Sequence, residues 1–378
     1  MTSTAELPPA FAAWFASRGW SPRPFQLALI GAARAGESVL LTAPTGGGKT
    51  LAGFLPSLIE LADYSPLPAF AKASADRVGA ERGNPIIERL KARAAQRPRG
   101  VHTLYLSPLK ALAVDIARNL EMPVKEMGLK IRLETRTGDT SVHRRQRQKH
   151  SPPDILLTTP EQLALLLASR EAPQMFGDLK CVVLDELHAL APSKRGDLLA
   201  LDLARLTTLS PSHRRVGLSA TVDDPEILAR YLVPQRPGET RAARVVRGAP
   251  GAQPDLSILA SQEDVPWAGH LAKHAFGEIL AAIAKAQTAL VFVNTRMQAE
   301  FLFQELWAIN TQNLPIALHH GSLAPEQRRK VEAAMAKGAL RGVVCTSTLD
   351  LGIDWGAVDL VINRLDALEH SFAHRPAP

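Results

Sequence analysis

Cysteine occurs only twice in the 378 residues, at Cys181 and Cys345. Two cysteines cannot build a disulfide framework, and each lies in an apolar run, Cys181 to Leu184 and Gly342 to Cys345, that reads as a buried strand. Both are expected to be structural thiols in a reducing cytosol. Long hydrophobic runs are missing too: none approaches the roughly 20 apolar residues of a membrane span. The N-terminus, with Glu6, Pro8 and Pro9, lacks a basic region followed by an apolar one. A soluble, cytoplasmic protein with no membrane partner is expected. The charge is close to balanced, 44 basic against 37 acidic residues for a net +7, and most of that excess is local. Residues 64–100 hold eight Lys and Arg against three Asp and Glu, which is +5 of the total, so overall charge supports a polyanionic partner weakly.

What remains is ordinary globular usage, 46% apolar and 21% charged, over a length that suits two or three domains. Short β-rich runs at 38–42, 103–107, 155–158, 181–185 and 215–218 alternate with longer helical patterns, which predicts βαβ units around a parallel sheet. The pattern recurs at 289–293, 316–318, 342–346 and 359–362, with helical stretches 297–307 and 325–337 between them. The fold class expected is α/β, two tandem domains, with the second incomplete. The first spans 1–265 and the second 266–362. Within the first, the Pro-, Gly- and Ala-rich 234–265 reads as a connection and 64–100 as a disordered insertion.

The strongest local signal is Ala43-Pro44-Thr45-Gly46-Gly47-Gly48-Lys49-Thr50, set after one strand and before the helical run from Leu51. Strand, Gly-rich turn and helix N-terminus together form a phosphate cradle. Thr45 and glycines 46–48 turn backbone N–H groups toward phosphate, Lys49 reaches the terminal phosphates, and Thr50 offers a hydroxyl to Mg²⁺. ATP and Mg²⁺ are the cofactors expected. Ala43 stands where the general pattern has glycine. A second apolar strand ends in Asp185 and Glu186. There Asp185 would hold the metal and Glu186 would orient and deprotonate the attacking water, so Glu186, Asp185 and Lys49 are the candidate catalytic residues.

With Asp185-Glu186-Leu187-His188 as its box, the chain resembles a superfamily 2 helicase of the DExH type from about Trp20 to Ile362. Such helicases carry tandem RecA-like domains, and many short motifs fall here in the matching order. Gln26 resembles the adenine-reading glutamine. Ser107-Pro108-Leu109-Lys110, Thr137-Gly138-Asp139 and Thr158-Thr159-Pro160-Glu161 resemble segments that hold the nucleic-acid backbone, and Ser219-Ala220-Thr221 the one that couples hydrolysis to movement. The resemblance implies nucleic-acid contact at Ser107, Pro108, Lys110, Thr137, Gly138, Thr159, Pro160, Thr295, Arg296, Gly321 and Thr346. It implies coupling by His188, Ser219 and Thr221, and ATP contact by Gly352 and Asp354. Small hydroxyls and N–H groups at strand ends suit phosphates without reading bases.

More narrowly, the segments 107–119, 135–140 and 158–163 resemble the Lhr (large helicase-related) group and its ligase-associated bacterial members. That implies ATP-driven 3′ to 5′ movement on single-stranded or partly duplex DNA, or on an RNA·DNA hybrid, alongside repair enzymes such as a ligase or nuclease. The basic run His143 to His150 reads as a solvated helix face or as a strand contact. After Ile362 the family pattern calls for a Gly-Arg-Gly-Arg segment, and residues 363–378 contain none. Two expectations follow for this aberrant tail: an exposed sheet edge, and, as the alternative to a motor, a hydrolysis-deficient ATP-gated clamp.

Overall fold

The computed structural model describes residues 6–44, 48–64, 100–249, 255–259, 275–346, 349 and 358–363, with the backbone of 373–375. Thr45, Gly46, Gly47, Gly352 and Asp354, nearly all of the insertion 64–100 and most of the tail therefore lie outside the described residues.

The first unit, Met1–Ala249, is built on a seven-stranded sheet. Its strands are β1 (Val39–Thr42), β2 (Thr103–Leu106), β3 (Leu133–Arg136), β4 (Ile155–Thr158), β5 (Cys181–Leu184), β6 (Arg214–Ser219) and β7 (Arg244–Arg247). They lie in the order β3-β4-β2-β5-β6-β1-β7, all parallel. Such a sheet is covered on both faces, so β1, β2, β4, β5 and β6 are buried at every position and mostly apolar. Side chains of odd and even register then enter different cores. Val39, Leu41, Tyr105, Cys181 and Val183 pack with Phe25, Phe54 and Leu58 on one face. Leu40, Leu104, Leu106, Val182 and Leu184 pack with Leu163, Leu199 and Leu203 on the other. Each fully buried leucine contributes about 1.5–3 kcal/mol of transfer free energy.

The second unit, Pro250–Pro378, contains a sheet of order β10-β11-β9-β12-β13-β8. Its strands are β8 (Asp255–Ser257), β9 (Ala289–Phe292), β10 (Ile316–His319), β11 (Gly342–Cys345), β12 (Leu360–Asn363) and β13 (Ala373–Arg375). The first four in that order are parallel, and β13 pairs antiparallel with both β12 and β8. Both units are thus parallel sheets flanked by helices.

Four strands were not apparent in the sequence. β3 alternates partly buried and buried residues and carries Glu134 and Arg136, so its pattern is half polar. β7 and β8 arise within the expected connection 234–265 and join different sheets. The division between units accordingly falls at Ala249 and Pro250 rather than near 265. The expected exposed edge of β12 is covered by β13, which the tail supplies. Trp307 is 57% exposed on the helix Arg296–Ile309 and stacks on Phe303.

One buried group sets a pH dependence. Asp202, on the helix Lys194–Leu209, is 7% exposed, and its Oδ2 has no hydrogen-bond partner. Burial pushes its carboxyl up to about 6 against the opposing charge of Arg205. A carboxyl raised in the fold binds its proton more tightly there than in the unfolded chain. Its charge therefore costs stability progressively as pH rises from the ordinary 3.8 through 6. Asp202→Asn is expected to raise the thermal midpoint by roughly 2–4 °C at pH 8 and not at pH 4. Unfolding scans of both chains at the two pH values check this.

Candidate nucleotide and nucleic-acid site

Parallel strands end on one rim, and in open α/β sheets ligands bind beyond the carboxyl ends of the strands. In the first unit six strands deliver candidate residues there. Ala43 follows β1, Ser107 β2, Thr137 β3, Thr159 β4 and Asp185 β5, while Ser219 ends β6. The rim itself thus explains why short segments scattered along 177 positions from 43 to 219 act on one surface.

The cradle comes first. Gly48 caps the helix Lys49–Asp63 at φ 79°, a left-handed conformation that glycine adopts without Cβ strain. Ala43 replaces the pattern's first glycine beside Gly248, where an added Cβ would come within 2.6 Å of Ala43 Cβ. The room is therefore left by the neighbouring chain. Lys49 is 8% exposed and donates from Nζ to the Ala43 carbonyl at 2.9 Å. Burial pulls its pKa down, and the charges of Glu186 and Asp185 oppose that. Thr50 follows it on the first helical turn and is partly exposed. Gln26 is buried on the helix Pro24–Arg34, where its Oε1 accepts the Arg23 N–H at 2.8 Å. Its Nε2 lies 3.6 Å from where a Gly48 Cβ would stand.

The acidic pair follows β5. Asp185 is 4% exposed; its Oδ2 accepts the Tyr105 hydroxyl at 2.5 Å and its Oδ1 the Glu186 N–H at 2.9 Å. Burial pushes the Asp185 carboxyl up to about 6, the Tyr105 hydrogen bond opposes this, and Glu186 adds to it. Two adjacent buried carboxylates near a helix-borne threonine hydroxyl are a hard oxygen donor set, which fits Mg²⁺ held by one or two carboxylates and substrate phosphates. No cluster of three or more His, Cys, Asp or Glu with metal geometry exists among the described residues, in keeping with such a sparse site. Glu186 itself adopts φ 48°, a left-handed conformation that costs a non-glycine residue on the order of 1–3 kcal/mol.

Glu186 Oε2 stands 3.5 Å from His188 Nε2, and His188 Nδ1 accepts the Ala220 N–H at 3.3 Å. His188 thus connects the acidic pair to the segment after β6. Ser219 is buried, with Oγ donating to the Ala220 carbonyl, and Thr221 is exposed.

The remaining rim residues form a second group. Lys110 begins the helix Lys110–Glu126, and its Nζ lies 2.9 Å from where a Gly138 Cβ would stand and 3.5 Å from Asp139 Oδ1. Thr137 receives Asp139 N–H at its hydroxyl, 3.3 Å, and gives its own N–H to Thr140 Oγ1, 2.9 Å. Thr159 caps the helix Pro160–Leu167, with Pro160 as its first residue. In the second unit Thr295 caps the helix Arg296–Ile309 after β9, Arg296 and Gly321 are exposed, and Thr346 follows β11 with its N–H on the His319 carbonyl. The basic run divides in use. Arg144 and Arg147 reach buried Glu134 on β3, while Arg145 donates to the Thr137 and Gly138 carbonyls.

Sequence reasoning missed Tyr105 and Arg195. Tyr105 reads as one more apolar position of β2, and Arg195 Nη1 donates to the Pro108 carbonyl at 2.8 Å from a helix outside every motif. No local pattern marks either.

Comparison with known proteins agrees with this layout. The DEAD/DEAH box helicase family matches residues 23–228, more than half of the chain, and the helicase conserved C-terminal domain matches 272–368. The Escherichia coli Lhr helicase/uracil glycosylase is 35% identical across 94% of this chain and 25% of its own length. The ATP-dependent helicase Lhr-Core of Methanothermobacter thermautotrophicus is 33% identical across 86% of this chain and 36% of its own. The solved structure of Mycobacterium smegmatis helicase Lhr bound to ssDNA and AMP-PNP superposes with a TM-score of 0.74 at 35% identity, over 94% of this chain and 43% of that one. The chain therefore spans a quarter to two-fifths of the length of these relatives. With its tandem RecA-like sheets and these matches, the chain belongs to the DEAD/DEAH box helicase family and is similar within it to the Lhr helicases.

Proposed function

We propose that the chain is the motor core of an ATP-dependent nucleic-acid helicase that moves 3′ to 5′ along single-stranded DNA in a cytoplasmic DNA-repair setting, alongside enzymes such as a ligase or nuclease. The observation that carries this reading is that one rim of the first unit's sheet holds Lys49, Asp185 and Glu186 together with Ser107, Thr137 and Thr159, with His188 joining the acidic pair to the segment after β6. Gln26, Thr45, glycines 46–48, Lys49 and Thr50, with Gly352 and Asp354, take the nucleotide. Asp185 and Thr50 face Mg²⁺, which when bound neutralises charge on the phosphates. Glu186 orients the attacking water and takes its proton. Ser107, Pro108, Lys110, Thr137, Gly138, Thr159 and Pro160, with Thr295, Arg296, Gly321 and Thr346, grip the DNA backbone. Ser219, Thr221 and His188 couple the two events. Single-stranded DNA as substrate is supported by the Lhr relative solved with ssDNA.

The test is strand displacement on a duplex carrying either a 3′ or a 5′ single-stranded DNA tail, with ATP and Mg²⁺. Displacement confined to the 3′-tailed DNA is expected, while displacement confined to the 5′-tailed duplex, or only of RNA-tailed duplexes, contradicts the assignment. A second reading is an ATP-gated clamp. It predicts ATP-dependent retention of the strand with no displacement.

A further inference from the structure

We propose that Arg195, which belongs to none of the recognised motifs, is a positioning residue that fixes the register of two DNA-gripping segments; this rests on the nucleic-acid reading above. It is the second residue of the helix Lys194–Leu209, whose cap Ser193 accepts the Gly196 N–H. From there its guanidinium works in two directions. Nε and Nη2 fork onto Glu161, at 2.5 Å to Oε1 and 3.1 Å to Oε2. Nη1 donates to the Pro108 carbonyl at 2.8 Å.

Glu161 lies two residues after Thr159, on the first turn of the helix that Thr159 caps. Burial pushes its carboxyl up, but the hydrogen bonds from Arg195, with further help from Thr159, hold it below the ordinary range. It is an anion that keeps its partner. The Pro108 carbonyl belongs to a turn closed on its other side by Ser107, whose Oγ accepts the Leu109 N–H at 3.3 Å. Arg195 is therefore the crosslink between the end of β2 and the end of β4. These are neighbouring strands of the sheet and each delivers one gripping segment. A planar fork with donors on three nitrogens matches this contact set, whereas an ammonium offers its donors from a single nitrogen and lacks the bidentate geometry.

The pair is half-exposed, at 39% and 49%, so as an ion pair it adds little to stability, about 0–1 kcal/mol. A crosslink of this kind leaves the fold intact when removed and loosens the spacing of Ser107 and Thr159.

The test measures binding of a fluorescein-labelled single-stranded oligodeoxynucleotide with AMP-PNP and Mg²⁺ across a salt series, for the wild-type chain, Arg195→Gln, Arg195→Lys and Glu161→Gln. Both Arg195 variants are expected to weaken binding about tenfold, the loss of one charge-assisted hydrogen bond. The salt slope should stay that of wild type, thermal midpoints within 2 °C or so, and Glu161→Gln should weaken binding in the same sense. Wild-type affinity in either Arg195 variant overturns the inference. So does a Lys variant that binds normally while the Gln variant loses about one unit of salt slope, since that marks a direct phosphate contact. A wild-type chain that does not bind the oligonucleotide overturns the nucleic-acid reading and this inference with it. Wild-type binding with unaffected variants overturns the inference alone.

Discussion

Replacing Glu186 by glutamine is expected to slow phosphate release by about 10²–10⁴-fold, the usual contribution of a positioned general base, while ATP-dependent DNA binding persists. Glutamine keeps the size of the side chain but loses its negative charge and with it the ability to take a proton. The backbone should stay as it is, because the Glu186 N–H is held by Asp185 Oδ1 and the residue opens the helical turn Leu187–Leu190. The side chain is 7% exposed at the rim, so bulk water cannot substitute for it readily. Single-turnover hydrolysis of ATP with saturating oligonucleotide measures the effect. Turnover within tenfold of wild type would show that another group takes the proton.

Lys49→Ala should act earlier, on nucleotide binding as well as turnover. Lys49 is buried, and its Nζ donates to the Ala43 carbonyl. It is a cation already stripped of most of its water, held near two carboxylates by the same rim. A phosphate would meet it without further desolvation, which is where preorganised charges act most strongly. The expected loss is about 10²–10³-fold in turnover, with weakened ATP binding in calorimetry. Lys49→Arg should not restore activity, since a planar guanidinium is wider than the compact ammonium buried there. Normal ATP affinity in Lys49→Ala would remove the P-loop lysine from the proposed site.

Much of the architecture was legible because parallel sheets write themselves in sequence. Runs such as Val39–Leu41 and Cys181–Leu184 are apolar throughout, as suits strands buried on both faces. The Gly-rich segment and the Asp185-Glu186 pair stood out in sequence for a related reason: each directly follows a buried strand, so a local run of residues marks it. What escaped was whatever depends on a partner far along the chain. Tyr105 faces Asp185 across the β2–β5 pairing, 80 positions apart, and nothing in Thr-Leu-Tyr-Leu distinguishes it from a core aromatic. Arg195 reaches Pro108 across 87 positions. β3 was hidden by its charges: Glu134 is buried but satisfied by Gln148 and Arg147, so a residue that argues for a loop in sequence ends in the sheet. β8 and β13 are three residues each, too short for a period of two to register.

These cases also separate two kinds of basic residue. Arg144 and Arg147 look like phosphate contacts in sequence, yet they spend hydrogen bonds on Glu134. Arg145 spends its own on the carbonyls of Thr137 and Gly138, which supports the candidate backbone-gripping turn from behind. Charge alone would not have ranked them.

The central claim, that one sheet rim joins ATP hydrolysis to a grip on DNA, is tested most directly by steady-state phosphate release with and without single-stranded oligodeoxynucleotide. The account predicts release that rises at least tenfold or so with the oligonucleotide, the size of an ordinary coupling free energy, and that stays at background with duplex DNA lacking a single-stranded tail. Release that is unchanged by the oligonucleotide, in a chain shown to bind both ATP and the strand, would contradict it.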